Sequence, residues 1–161
     1  MRTTLTAVVL AVMGNDALAL SCIRPDPIST FKQLAAAPES YFVLQGELTF
    51  DESALPPSIR DVSGDAPTPI RAQFNGLGLT KDGFTATYVS PVTLEISCAG
   101  PWCGSARSGG DAIYFVEATT PLATVLADPC GSRIFAEPSQ DTLNTLVSCM
   151  QGGPCSPQAL Q

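Results

Sequence analysis

Thiols and hydroxyls supply the reactive side chains of this sequence, because it contains no histidine at all. Its six cysteines, Cys22, Cys98, Cys103, Cys130, Cys149 and Cys155, are open to three uses: nucleophile, metal ligand or disulfide partner. Zinc bound through cysteine wants pairs separated by two residues, or added histidines, and neither is present. On that ground no metal and no cofactor is expected. Redox chemistry has one foothold, since Pro101-Trp102-Cys103-Gly104 has the surroundings of an oxidoreductase thiol. The resolving cysteine such a site needs would stand at position 106, which is Ala, and Cys98 is five residues upstream. Structural disulfides are therefore expected, with Trp102 packed over the anchor at Cys103. Fifteen pairings are open, and the sequence alone does not choose among them.

Oxygen nucleophiles lack a base. Ser105 and Ser108 lie on either side of Arg107 in a glycine-rich loop near Trp102, with no imidazole to activate them. Lys32 and Lys81 are far away in sequence. Asp61 and Asp65 offer a carboxylate pair for hydrolysis, or part of a calcium loop, but alternating oxygen ligands and a closing Glu are missing. Carboxylates of this kind are ordinarily solvated surface. No catalytic residue is expected, and the chain reads as a non-enzyme.

Its ends and composition bear on where it works. Arg2 precedes an apolar run from Leu5 to Met13, too short to span a bilayer, which Gly14, Asn15 and Asp16 break. Ala17-Leu18-Ala19 matches the small-x-small pattern cut by signal peptidase, so residues 1–19 are expected to be a signal peptide and the mature chain to start at Leu20. Ala19-Leu20-Ser21 offers an alternative cut before Cys22. Lipidation of Cys22 is a third route, which would leave an odd number of cysteines. Residues 20–161 are expected to form one periplasmic or secreted domain, a setting in which disulfides persist. No later stretch is long and apolar enough for a transmembrane helix. The formal net charge of −7 leaves no basic footprint for nucleic acid.

Local patterns supply the elements. Asp26-Pro27, followed by Ile28, Phe31, Leu34 and Ala35, predicts an N-capped helix ending before Pro38. Residues 41–50 predict a strand in which Gly46 marks a bulge or a close approach. Residues 51–69, with Pro56, Pro57, Pro67 and Pro69, read as a long loop. A strand over 70–79 is followed by a turn at Lys81-Asp82-Gly83, a third strand beginning at 84–89, and a half-buried strand over 92–96 that delivers Cys98 to a sheet end. Residues 112–118 form the most apolar strand, expected to be central, and 122–126 another. Ser139 predicts the cap of a last helix carrying Leu143, Leu146, Val147 and Met150, stopped by Gly152-Gly153-Pro154. A short helix, five to six antiparallel strands and a C-terminal helix make a mainly β chain, a small closed or partly closed barrel. Loops at a barrel mouth carry ligands, which points to Trp102, Arg107 and the 51–69 loop.

In layout the chain resembles the netrin-like module, the OB-type barrel that also forms the inhibitory domain of the tissue inhibitors of metalloproteinases. The resemblance rests on Cys22 at the mature start, the helix after it, Val43-Leu44-Gln45-Gly46 in an early strand, the mid-chain strand ending in Cys98, and Cys149 on the final helix. It covers most of the mature chain through spacing and pattern, without one diagnostic motif. It implies a disulfide between Cys22 and Cys98, leaving Cys103 to pair with Cys130 and Cys149 with Cys155. It also implies inhibition of a metalloprotease by the α-amine and carbonyl of Cys22, provided that Cys22 is the first mature residue. The functional expectation is a non-catalytic exported binding or structural module of the bacterial cell envelope, partnered by a protein or envelope ligand. Metalloprotease inhibition through Cys22 is the alternative.

Overall fold

Both predicted helix caps form. In the computed structural model, which describes residues 20–61 and 64–157, the Asp26 carboxylate accepts the Ser29 N–H at 2.7 Å and starts helix α1, Pro27–Ala35. The Ser139 hydroxyl accepts the Thr142 N–H and starts α2, Gln140–Met150. The expected signal peptide, residues 1–19, lies outside the described residues. Between the helices run β1 (Tyr41–Thr49), a short 3-10 turn (Glu52–Ala54), β2 (Ile70–Thr80), β3 (Gly83–Ile96), β4 (Cys98–Ala99), β5 (Trp102–Cys103), β6 (Ala112–Glu117), β7 (Thr124–Ala127) and β8 (Ile134–Ala136). The chain is mainly β, as predicted.

Six strands hydrogen-bond in the order β1-β2-β3-β7-β6-β8, and β1 also pairs with β6, so the pairings β1-β2-β3-β7-β6 return to β1. β4 and β5 form a separate small hairpin. An all-antiparallel arrangement was expected, but β3 and β7 are parallel. Direction explains it: β6 runs against β1, and β7 runs against β6, so β7 shares the direction of β1 and hence of β3.

A second correction concerns residues 84–96, expected as two strands and found as one that passes through Pro91. The Thr93 N–H donates to the Ala123 carbonyl, on the side where β7 lies. Backbone groups alternate sides along a strand, so the nitrogen of Pro91, two residues earlier, faces that same side and costs the β2 ladder nothing. Gly46 marks a close approach, not a bulge. It stands opposite Gly76, and a Cβ on either residue would overlap backbone of the other strand. The bulge lies at Gly78/Leu79.

β6 is bonded to β1, β7 and β8, the central place its apolar run predicts. Both of its faces are buried. Tyr114 and Val116 join Leu44, Leu48, Phe74, Val92, Leu94 and Val125 in one core, while Ile113 and Phe115 join Ile28, Leu34, Val43 and Leu146 against the helices. An alternating pattern is absent there because neither face meets water.

All six cysteines are bridged, as Cys22–Cys130, Cys98–Cys103 and Cys149–Cys155. The last is the pairing expected; Cys22–Cys98 and Cys103–Cys130 are not formed. Cys98 and Cys103 face each other across the β4–β5 hairpin, which leaves neither available to a distant partner.

Candidate functional site

β6 has one edge bonded to β1, so β7 and β8 must share the other. β7 takes Val116 and Glu117 while β8 takes Ala112 to Tyr114. Past Val125 the two strands therefore diverge, and the turn joining them, residues 128–133, is fixed from three sides. The Asp128 carboxylate accepts the N–H of Cys130, the N–H of Ser132 and the Ser132 hydroxyl at 2.9, 2.9 and 2.7 Å. The buried Thr30 hydroxyl of α1 donates to the Ser132 carbonyl at 3.0 Å. Cys130 is bridged to Cys22.

The wedge left open is a cleft of about 610 Å³. Ala106, Ala112, Tyr114, Leu126 and Ile134 give it an apolar lining, and Arg107, Asp111, Asp128, Arg133 and Glu137 its charges, Asp128 being bonded within its own turn. Most of those charges are engaged. Asp111 accepts the Gln45 side-chain amide at 2.9 Å, and the Arg133 guanidinium lies 5.0 Å from the centre of the Tyr41 ring. The side chains of Arg107 and Glu137 have no hydrogen bond or ion pair among the described residues. Glu137 also sits at φ 50°, a left-handed conformation held by its N–H bonding to the Asp111 carbonyl. Such strain at a cleft edge is typical of ligand-facing backbone.

Tyr114 lines the cleft yet is only 2% exposed. Burial pushes its phenol pKa up, with a smaller push from the Asp111 and Glu47 charges, against the effect of a Leu48 backbone hydrogen bond. A phenol that holds its proton more tightly when folded leaves stability unchanged below its unfolded pKa of about 10 and removes stability as pH rises through its folded value. Wild-type stability should therefore fall more between pH 9 and pH 11 than that of Tyr114→Phe, measured by denaturant midpoints at each pH. Parallel pH profiles for the two proteins would contradict this.

The loop carrying Arg107 is fastened at Ser108, whose hydroxyl accepts the Phe50 N–H at 3.0 Å and whose N–H donates to the Glu52 carboxylate at 2.7 Å. Ser108 thus serves the loop. Asp51 caps the neighbouring 3-10 turn, and the Ser53 hydroxyl and N–H bonded to it hold its carboxyl below the usual range.

Of the residues expected to bind, Arg107 lines this cleft, and the exposed Cys22 reaches its edge through Cys130, next to the lining Gly131. Trp102 is elsewhere. It is half-buried on β5, paired with Ala99 and bridged to Ile59, in a hairpin tied to the 51–69 loop by the Arg60 N–H to the Pro101 carbonyl and the Cys103 N–H to the Ser58 carbonyl. Tyr114, Ile134 and Glu137 were not anticipated, because the cleft arises from strand divergence that no local pattern signals. Asp128-Pro129-Cys130-Gly131-Ser132 did carry a readable signal, an Asp before Pro and Gly that caps its own turn.

With every cysteine bridged, thiol chemistry would first require reduction. Among the described residues no group of three or more Cys, Asp or Glu is placed to hold a metal ion. Lys32 lies on α1 and Lys81 in the β2–β3 turn, outside the residues that line the cleft. Comparison with family models, with curated proteins and with solved structures found no match.

Proposed function

We propose that this protein is a non-catalytic exported binding module of the cell envelope, an OB-type barrel of netrin-like layout. Its cleft between β6, β7 and β8 takes a small, largely apolar ligand bearing an anionic group. The barrel reading is supported by the circuit of pairings that returns to β1. The observation that carries the binding reading is the cleft itself: about 610 Å³, apolar inside, with the side chains of Arg107 and Glu137, neither bonded among the described residues, at its edge. Export is supported by three disulfides, which belong to oxidising compartments. Inhibition of a metalloprotease through Cys22 was implied together with a Cys22–Cys98 bridge. Cys22 is tied to Cys130 instead, so that reading keeps only the exposure of the N-terminal segment, in which Ile23 is 94% exposed.

The probe 1-anilinonaphthalene-8-sulfonate has the required chemistry, an aromatic body and one anionic group. Its fluorescence titration should show saturable binding to the native protein. Arg107→Glu should weaken that binding about tenfold, the size of one lost charge-assisted contact. Ala136→Trp, which fills the cleft from the exposed end of β8, should abolish it. Equal binding by all three proteins, each with an unchanged melting temperature, would remove the site.

A further inference from the structure

We propose that the free edge of β3 pairs with the same edge of a second copy of this chain, about a two-fold axis at Tyr88. β7 covers only Thr93 to Ile96 of that edge. The Thr93 N–H points toward β7, so by strand alternation Pro91, Val89 and Thr87 present their backbones to the same side, where nothing among the described residues bonds to them. The edge thus offers the N–H and C=O of Thr87 and of Val89, and then Pro91, which has no N–H to leave unpaired.

These groups are complementary to themselves. When two such edges run antiparallel with Tyr88 opposite Tyr88, Thr87 stands opposite Val89 of the second copy and Val89 opposite its Thr87. Each pair exchanges two hydrogen bonds, four in all, and every free N–H of Thr87 and Val89 is used. Side chains favour the same register. On one face the Tyr88 rings meet as a close, non-hydrogen-bonded pair, each 5.7 Å from its own Phe42, which is 43% exposed. On the other face Val89, 61% exposed, stands opposite Thr87 of the second copy and diagonal to its Val89.

Charge points the same way. Pro91 and the irregularity at Gly78/Leu79 bound the free edge at either end, but no charge lies between Gly83 and Pro91, in a chain of net charge −7. Two acidic molecules meet here without a like charge at the axis.

The test is the mass of the exported protein by sedimentation velocity over a concentration series. Wild type should approach twice the monomer mass. Val89→Pro removes an N–H only on the free side, as Pro91 already does, and should halve the mass with little change in melting temperature. Val89→Lys, which sets two cations near the axis, should do the same and serves if the proline variant fails to fold. A wild type that stays monomeric up to ~1 mM, including one that captures an extended peptide there, overturns the proposal. So does a lysine variant that keeps the wild-type mass.

Discussion

A Gly76→Ala variant is expected to lose more than about 3 kcal/mol of stability, a large part of what holds a domain of this size folded. The added methyl would overlap the Gln45 carbonyl oxygen, lie 2.8 Å from the Gly46 Cα and press on the Phe74 ring at 2.9 Å. Gln45 and Gly46 belong to β1, whose pairing with β2 is in register at this point, and Phe74 is buried. Neither strand can retreat without giving up ladder hydrogen bonds, and the ring cannot move without opening a core that is close-packed. Gly83→Ala is the informative contrast. Its Cβ meets nothing within 4 Å, so only the cost of a φ of +106° remains, roughly 1–3 kcal/mol. Urea denaturation followed by far-ultraviolet circular dichroism would compare the two. A Gly76→Ala midpoint equal to that of Gly83→Ala would mean that β1 and β2 do not approach as closely as described.

The second large effect belongs to the Cys22–Cys130 bridge. It closes a loop of 108 residues, for which the chain-entropy relation gives about 4.8 kcal/mol, against roughly 2.2 for the six-residue loop of Cys149–Cys155. The double variant Cys22→Ser/Cys130→Ser should therefore be far less stable than Cys149→Ser/Cys155→Ser. It should also be the one whose cleft loosens, since Cys130 sits in the turn between β7 and β8. Its loss leaves Asp128 and Thr30 to hold that turn alone. Probe binding should weaken in the first double variant and persist in the second. Equal stability of the two would place the N-terminal segment outside the cooperative fold.

What could be read from the sequence and what could not divides by the range of the interactions. Asp26-Pro27 and Ser139 announce helices because a cap is settled within three residues, and both caps form. The apolar run at 112–117 announces a central strand because burial of both faces leaves its mark on every residue. Pro91 misled, since whether proline breaks a strand depends on which side its nitrogen faces, and that is set by β7, more than thirty residues later. The disulfides misled for a related reason. The partner of Cys22 lies on a turn that Asp128 shapes locally but that Thr30, 102 residues before Ser132, places against α1, while the cysteine implied by resemblance is taken by its own hairpin. Arg107 and Trp102, five residues apart, were assigned together. Between them Gly104 packs against the backbone of Ala127, and the chain carries Arg107 away to the cleft. The cleft itself was illegible. It depends on β7 and β8 dividing one edge of β6, and pairing of that kind is not written in any local window.

The binding reading is tested most directly by locating the probe on the native protein. In ¹H–¹⁵N correlation spectra titrated with 1-anilinonaphthalene-8-sulfonate, the amides of Arg107, Gly109, Gly110, Gly131 and Glu137 should shift together and saturate at one affinity, while those of Thr87 and Val89 on the far strand stay in place. Shifts that centre on the Trp102 hairpin, or that scatter without saturating, would contradict a ligand site between β6, β7 and β8.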